Sequence, residues 1–418
     1  MIRTLHRPLS VLVTNLSGNL LPLIASPAFL SPAVPTPQNP NPNATQMHAL
    51  ALATFAGELI EVFDELGLGQ DGDMRGDGLK GVRDSLVSTI KRVIDPLVAG
   101  IKNDLMPHVE ALEQTAPTNA PKAAAGTAKV ASVHPSIAYM QTVMPVYAKA
   151  LGRYVTSKPA ESTLASLLIS LVWRGLVALS NRPVPPPGAT PPSSPPLGPL
   201  SKSVKDAKRR GSSSTPPAAP PASRFTLKLP PSRPPSPPGA VTKAPSAASD
   251  ARALYDLLNT LPRPTSDQLA HEAVGDAFDS LSGTVALLDF VCTRRAYSLT
   301  ASELAREFDQ LTADVSTLVA LPVLLRACVY AYGALPERSV ADMLGLTEAT
   351  YRSGCLGGFG RAEECVPAVG QRVLAVLRGE LVAAGAVGDT MPEAVVKWLE
   401  REVAVALADQ QGQQVVQH

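Results

Sequence analysis

The fold class this sequence predicts is all-α: two helical-bundle lobes joined by a long disordered Pro-rich linker. Three observations predict it. Apolar residues recur at three- and four-residue steps through both ends of the chain. Period-two alternation of β-branched residues is nearly absent. Proline, at 41 residues about twice its usual share, is concentrated in one internal stretch. A chain of 418 residues is long enough for two or three cores and does not need disulfides to fold.

Residues 1–45 are read as an apolar N-terminal segment followed by a Pro/Asn-rich arm. No acid occurs before Glu58, while Arg3 and Arg7 are present, which allows a cleaved mitochondrial presequence as an alternative. Pro8 argues against that reading, because a helix beginning at Ile2 is expected to be interrupted there. Asn15, Gly18, Asn19 and Pro22 make Leu9 to Ala25 too short and polar for a membrane span.

Residues 46–182 form the expected N-terminal helical lobe. Leu50, Ala53, Phe55, Leu59, Val62, Phe63 and Leu66 trace one helix, and Leu79 through Leu97 trace a second with Pro96 as a kink or break. Two more helical runs follow at 135–152 and 160–181. The apolar stretches Thr163–Ser180 and Ser316–Leu335 contain Arg174 and Arg326, so both are expected to be buried core helices, and no membrane span is expected.

Residues 183–249 are the basic Pro/Ser-rich linker. Proline removes backbone donors, and the apolar content is too low to offset the ordering entropy. Nine basic residues face one acid, Asp206, for a net charge of +8. Lys205, Lys208, Arg209 and Arg210 are a candidate nuclear-import cluster. Ser212 and Ser213 follow it as candidate phosphorylation sites, and Thr190, Ser194, Thr215 and Ser236 each precede Pro, the context of proline-directed phosphorylation. Lys228, Pro231 and Pro234 match the basic-x-x-P-x-x-P pattern of polyproline ligands for SH3 domains.

Residues 250–410 are the acidic C-terminal helical lobe, and 411–418 a frayed Gln-rich tail. Helices are expected near 249–260, 266–292, 300–314, 316–334, 338–345, 347–354, 367–384 and 392–409. Thr265/Gln268, Thr300/Glu303 and Thr390/Glu393 have the spacing of capping boxes. The segment SVADMLGLTEATYRS at 339–353 has the form of a helix-turn-helix, with Val340, Leu344, Leu346 and Tyr351 spaced to pack a helix pair. Residues 251–418 carry 13 Lys plus Arg against 21 Asp plus Glu, a net charge of −8, which argues against nucleic acid as a partner.

Catalytic templates fail throughout. There is no G-x-S-x-G elbow, phosphate-binding P-loop or H-E-x-x-H helix, and the six histidines share no motif. The stretch GCLGGFG at 354–360 follows a helix, so it is read as an interhelical loop and not as a nucleotide fingerprint. Acids at 71–84 approach a calcium loop, but Arg75 falls in a ligand slot. Cys292, Cys328, Cys355 and Cys365 show no metal-ligand spacing and are expected as buried thiols in a reducing compartment. No cofactor is expected.

The functional expectation is a non-enzymatic scaffold or adaptor in the cytoplasm or nucleus. It would contact other proteins, among them a polyproline-recognising domain. The alternatives are a nuclear nucleic-acid-binding regulator using 339–353 and a mitochondrial protein with a cleaved N-terminal arm. Attraction between the +8 linker and the −8 lobe is a further expectation.

Overall fold

The computed structural model describes residues 2–26, 29, 34–68, 77–115, 133–183, 246–292, 299–332, 338–383 and 391–416. Its elements are the helices α1 (Ile2–Ile24), α2 (Ala44–Glu65), α3 (Asp77–Glu110, ending in a 3₁₀ turn at Ala111–Glu113), α4 (Pro135–Tyr154) and α5 (Lys158–Asn181). After the connecting stretch come α6 (Ala247–Leu258), α7 (Gln268–Cys292), α8 (Ala301–Leu311), α9 (Thr317–Tyr332), α10 (Val340–Leu344), α11 (Glu348–Cys355), α12 (Phe359–Ala383) and α13 (Met391–Val416). No strand occurs among the described residues. The chain is thus all-helical there, with residues 184–245 linking two groups of helices.

The two groups share one core. Met1–Pro187 and Ala244–His418 form a single compact unit, and the second unit, Gly188–Lys243, lies outside the described residues. One continuous apolar cluster runs from Leu16 in α1 to Val403 in α13. Its centre is α5, which packs against α3, α6, α7 and α9. Leu164, Leu168, Leu171, Trp173, Leu176 and Leu179 are all buried, which explains why this helix is apolar around nearly its whole circumference. It is also the one described helix long and apolar enough to cross a membrane, and two-thirds of its most apolar stretch is buried inside the protein. Gly175 permits a close approach to α6. An added Cβ there would lie 2.6 Å from Leu254 Cδ2 on α6.

Several expected boundaries are corrected. Pro8 does not interrupt α1, which contains both Pro8 and Pro22 and buries Leu16 and Leu20. Pro96 does not break α3. A helix-interior Pro costs about 3 kcal/mol, whereas Leu86, Ile90, Ile94, Leu97, Ile101 and Leu105 on both sides of it are buried, at roughly 1.5–3 kcal/mol each. The 300/303 capping box forms, with Thr300 Oγ1 accepting from Glu303 N and Glu303 Oε2 accepting from Thr300 N. The 265/268 box does not, because Glu161 of α5 takes those donors. Its carboxylate accepts from the backbone N–H groups of Thr265 (3.0 Å) and Ser266 (2.7 Å) and from both hydroxyls. Thr390 lies outside the described residues. Residues 411–416, expected as a frayed tail, continue α13. Helix α12 begins at Phe359, inside the Gly-rich stretch, and accommodates Pro367 within it.

Candidate functional site at the base of the proline-rich segment

The candidate phosphorylation sites Thr190, Ser194, Ser212, Ser213, Thr215 and Ser236, the basic cluster Lys205 to Arg210, and the polyproline motif Lys228, Pro231 and Pro234 all lie outside the described residues. The structure does fix the two ends of the segment that bears them. Arg182, just past the end of α5, donates through Nη1 to Asp250 Oδ2 in the first turn of α6, and both side chains are almost fully buried, at 3% and 4% exposed. Ser246 and Ser249 start α6 with a reciprocal capping box, which seats Asp250 at the positive end of the helix dipole. Arg326 of α9 donates to the Ser180 carbonyl, pinning the last turn of α5 from the other side.

His134 lies beside this pair. It caps α4, with Nδ1 accepting from Ser136 N at 3.2 Å. Burial pushes its pKa below the ordinary 6.5, a shift that Asp250 opposes and Arg182 reinforces.

Pro183 opens onto a groove of about 300 Å³ whose lining includes Arg326, Arg338, Ser339, Glu348 and Arg352. This brings the helix-turn-helix-like segment beside the emerging chain. Ser339 and Asp342 cap α10 reciprocally, and Gly345 ends it at φ +72°, with Leu346 N–H returning to the Ala341 carbonyl. Val340 and Tyr351 are buried as the spacing predicts, but Leu346 is 41% exposed and does not join the core. The guanidinium of Arg352, the one cation of α11, is occupied. It forms two hydrogen bonds to Glu113 (2.6 and 2.7 Å) and one to Glu348 (2.6 Å).

The Gly-rich loop is short and docked. Trp173 Nε1 of α5 donates to the Leu356 carbonyl at 2.8 Å, and its ring lies 4.6 Å from that of Phe359. Arg361 Nε returns to the Gly354 carbonyl. Cys355 and Cys365 meet beside this loop, and burial pushes the Cys355 thiol up to about 11. Cys328 is buried as expected, whereas Cys292 is exposed.

The acids at 71–84 do not enter a described loop, since α3 begins at Asp77 and residues 69–76 lie outside the described set. Among the described residues no three His, Cys, Asp or Glu side chains converge in a way that could hold a metal ion. Sequence reasoning missed the Arg182–Asp250 clasp and the Glu161 cap. A usable signal existed: Arg182 and Asp250 are the charges immediately flanking the Pro-rich stretch. Comparison of the chain with protein-family models, with curated proteins and with solved structures finds no match.

Proposed function

We propose that the protein is a non-enzymatic helical scaffold that presents the basic, Pro-rich segment 183–249 to partner proteins. The observation that carries this reading is the buried Arg182–Asp250 pair, which holds both ends of the segment side by side on one helical body. A loop closed this way is tethered at two points, so a partner engaging Lys228, Pro231 and Pro234 is held close to the body at a high effective concentration. Four proline-directed phosphates would add about −6 to −8, roughly cancelling the segment's +8. Phosphorylation therefore switches the segment between acidic and phosphate-recognising partners.

The test compares the full chain, a Pro231→Ala/Pro234→Ala variant, and a chain in which 184–245 is replaced by a short Gly/Ser connector. Each is titrated with a panel of purified SH3 domains and passed over a partner-capture resin. The expected result is that binding is lost in the two altered chains while circular dichroism and melting stay those of a folded helical protein. An unchanged partner set in the connector chain refutes the reading.

A further inference from the structure

We propose that Cys355 and Cys365 are a reversible modification site, a dithiol that closes to a disulfide and latches the end of α11 to the start of α12. Its reactant is a low-molecular-weight disulfide of the glutathione type.

The fold places the two sulfurs together. Cys355 is the last residue of α11, and Cys365 lies in the second turn of α12, with nine residues between them. Cys365 Sγ is 3.8 Å from the carbonyl oxygen of Gly354, the residue bonded to Cys355, and the two thiols interact directly. Both side chains are half-buried, so a small solute reaches them. The other two cysteines stand elsewhere, Cys292 at the end of α7 and Cys328 within α9. A disulfide needs its Cβ atoms about 3.8 Å apart, and the connection has room for the shift from contact to bond. It contains Gly357 and Gly358, and a Cβ at Gly358 would meet nothing within 4 Å.

Other uses of a thiol pair fit less well. A structural zinc ion needs four Cys or His ligands, whereas among the described residues no three His, Cys, Asp or Glu side chains converge. Thiols that serve only as apolar filling belong in the interior, as Cys328 does. The 355/365 pair instead borders the exposed residues Gly357, Arg361 and Glu364. Oxidation also leaves no carbonyl stranded. It removes the Cys365 S–H donor to Gly354, but Arg361 Nε donates to the same oxygen at 2.7 Å.

The exchange balances without a further reagent. Burial holds the Cys355 thiol protonated at neutral pH, so the first attack falls to Cys365. Cys365 gives its proton to solvent, and its sulfur attacks one sulfur of the small disulfide. A mixed disulfide forms and one small thiolate leaves. Cys355 then gives up its proton and attacks the Cys365 sulfur, which expels the second small thiolate. Each expelled thiolate takes up one proton. Two protein thiols are thus oxidised to one disulfide, and one small disulfide is reduced to two thiols. An excess of a reducing dithiol runs the sequence backwards.

The consequence is mechanical. Through Arg352, α11 holds Glu113 of the first helix group, and Trp173 of α5 holds the Leu356 carbonyl in the turn that follows. With the disulfide closed, that turn cannot open without carrying α12 with it. The latch uses none of the residues of the Arg182–Asp250 clasp, so it stands apart from the scaffold reading.

The test uses the full chain carrying Cys292→Ser, which removes the exposed thiol. The protein is equilibrated with mixtures of reduced and oxidised glutathione, quenched by alkylation and mapped by peptide mass spectrometry. We expect a Cys355–Cys365 cross-link that forms in the folded chain and is reversed by dithiothreitol. The oxidised chain should melt higher than the reduced one by about 2 °C or more, because the closed loop restricts the unfolded chain. Amide exchange over residues 346–358 should slow on oxidation. Adding Cys355→Ser should stop the reaction at a glutathione adduct on Cys365, and adding Cys365→Ser should leave Cys355 largely unmodified. Both variants should melt like the reduced parent, and neither should respond to oxidation in melting or exchange. Absence of the cross-link from the folded chain overturns the proposal. So does a cross-link that appears only in urea, or one that leaves both melting and exchange unchanged.

Discussion

Burial decides what each ion pair of this protein is worth. Arg182–Asp250 and Arg352–Glu113 both tie the two helix groups together, but the first is 3% and 4% exposed and the second 30% and 32%. Removing one partner of a buried pair strands the other charge in a low-dielectric site. Asp250→Asn is therefore expected to lower unfolding free energy by about 3–5 kcal/mol in a urea titration. Glu113→Gln, in contact with solvent, is expected to cost about 1 kcal/mol or less in the same titration. His134 adds a pH dependence. Its pKa is lowered in the folded state, so its contribution is intact above the unfolded value of 6.5. As pH falls below 6.5 the unfolded chain takes up a proton that the folded one resists, and stability drops until the folded pKa is passed. His134→Asn retains a good N-cap for α4 and should flatten the stability difference between pH 7.5 and pH 5 measured by denaturant unfolding.

At the scale of elements, the helix pairs are set by close approaches as much as by apolar stripes. Gly370 faces Val403 across the α12–α13 contact, and any Cβ there would collide with the valine methyl. Gly370→Ala should cost about 1–3 kcal/mol by overpacking, seen as a lowered melting temperature. Such contacts explain what was legible in the sequence. Periodicity located the described helices of the C-terminal group to within a few residues, apart from the start of α12 and the end of α13. Helix starts held where the cap was local, as at Thr300, and failed where it came from afar: the donors of Thr265 go to Glu161, 104 residues earlier. The start of α12 was hidden because Gly358 and Gly360 read as loop residues, while the ring of Phe359 between them is held by Trp173. The clasp was out of reach for the same reason. The one sequence signal for it was positional, Arg182 and Asp250 being the charges that immediately flank the Pro-rich stretch.

At the scale of the whole molecule, the packing of the helix groups says more than the charge split between linker and C-terminal lobe. The two helix groups expected from sequence pack on one another through α5 of the first group, and the core is continuous across that contact. The fragment 250–418 made alone would leave the α5-facing sides of α7 and α9 uncovered. Its unfolding is expected to be less cooperative than that of the full chain, with dye-binding apolar surface at neutral pH. Shortening the connection has the opposite effect, because its ends already meet. Replacing 184–245 with a connector about one-eighth as long removes three doublings of loop length, each worth about 0.6 kcal/mol of closure entropy. The shortened chain should melt no lower than the parent.

The position of α5 also sets an order of events during synthesis. This helix leaves the ribosome with one side able to pack on α3, but its partners α6, α7 and α9 are encoded only beyond the Pro-rich segment. At about 5–20 residues per second, the interval before α7 emerges is on the order of 10 s. Throughout that interval Leu171, Leu176 and Leu179, all buried in the folded protein, lack part of their cover. The N-terminal half is thus expected to bury its last helix fully only after translation supplies the rest of the core.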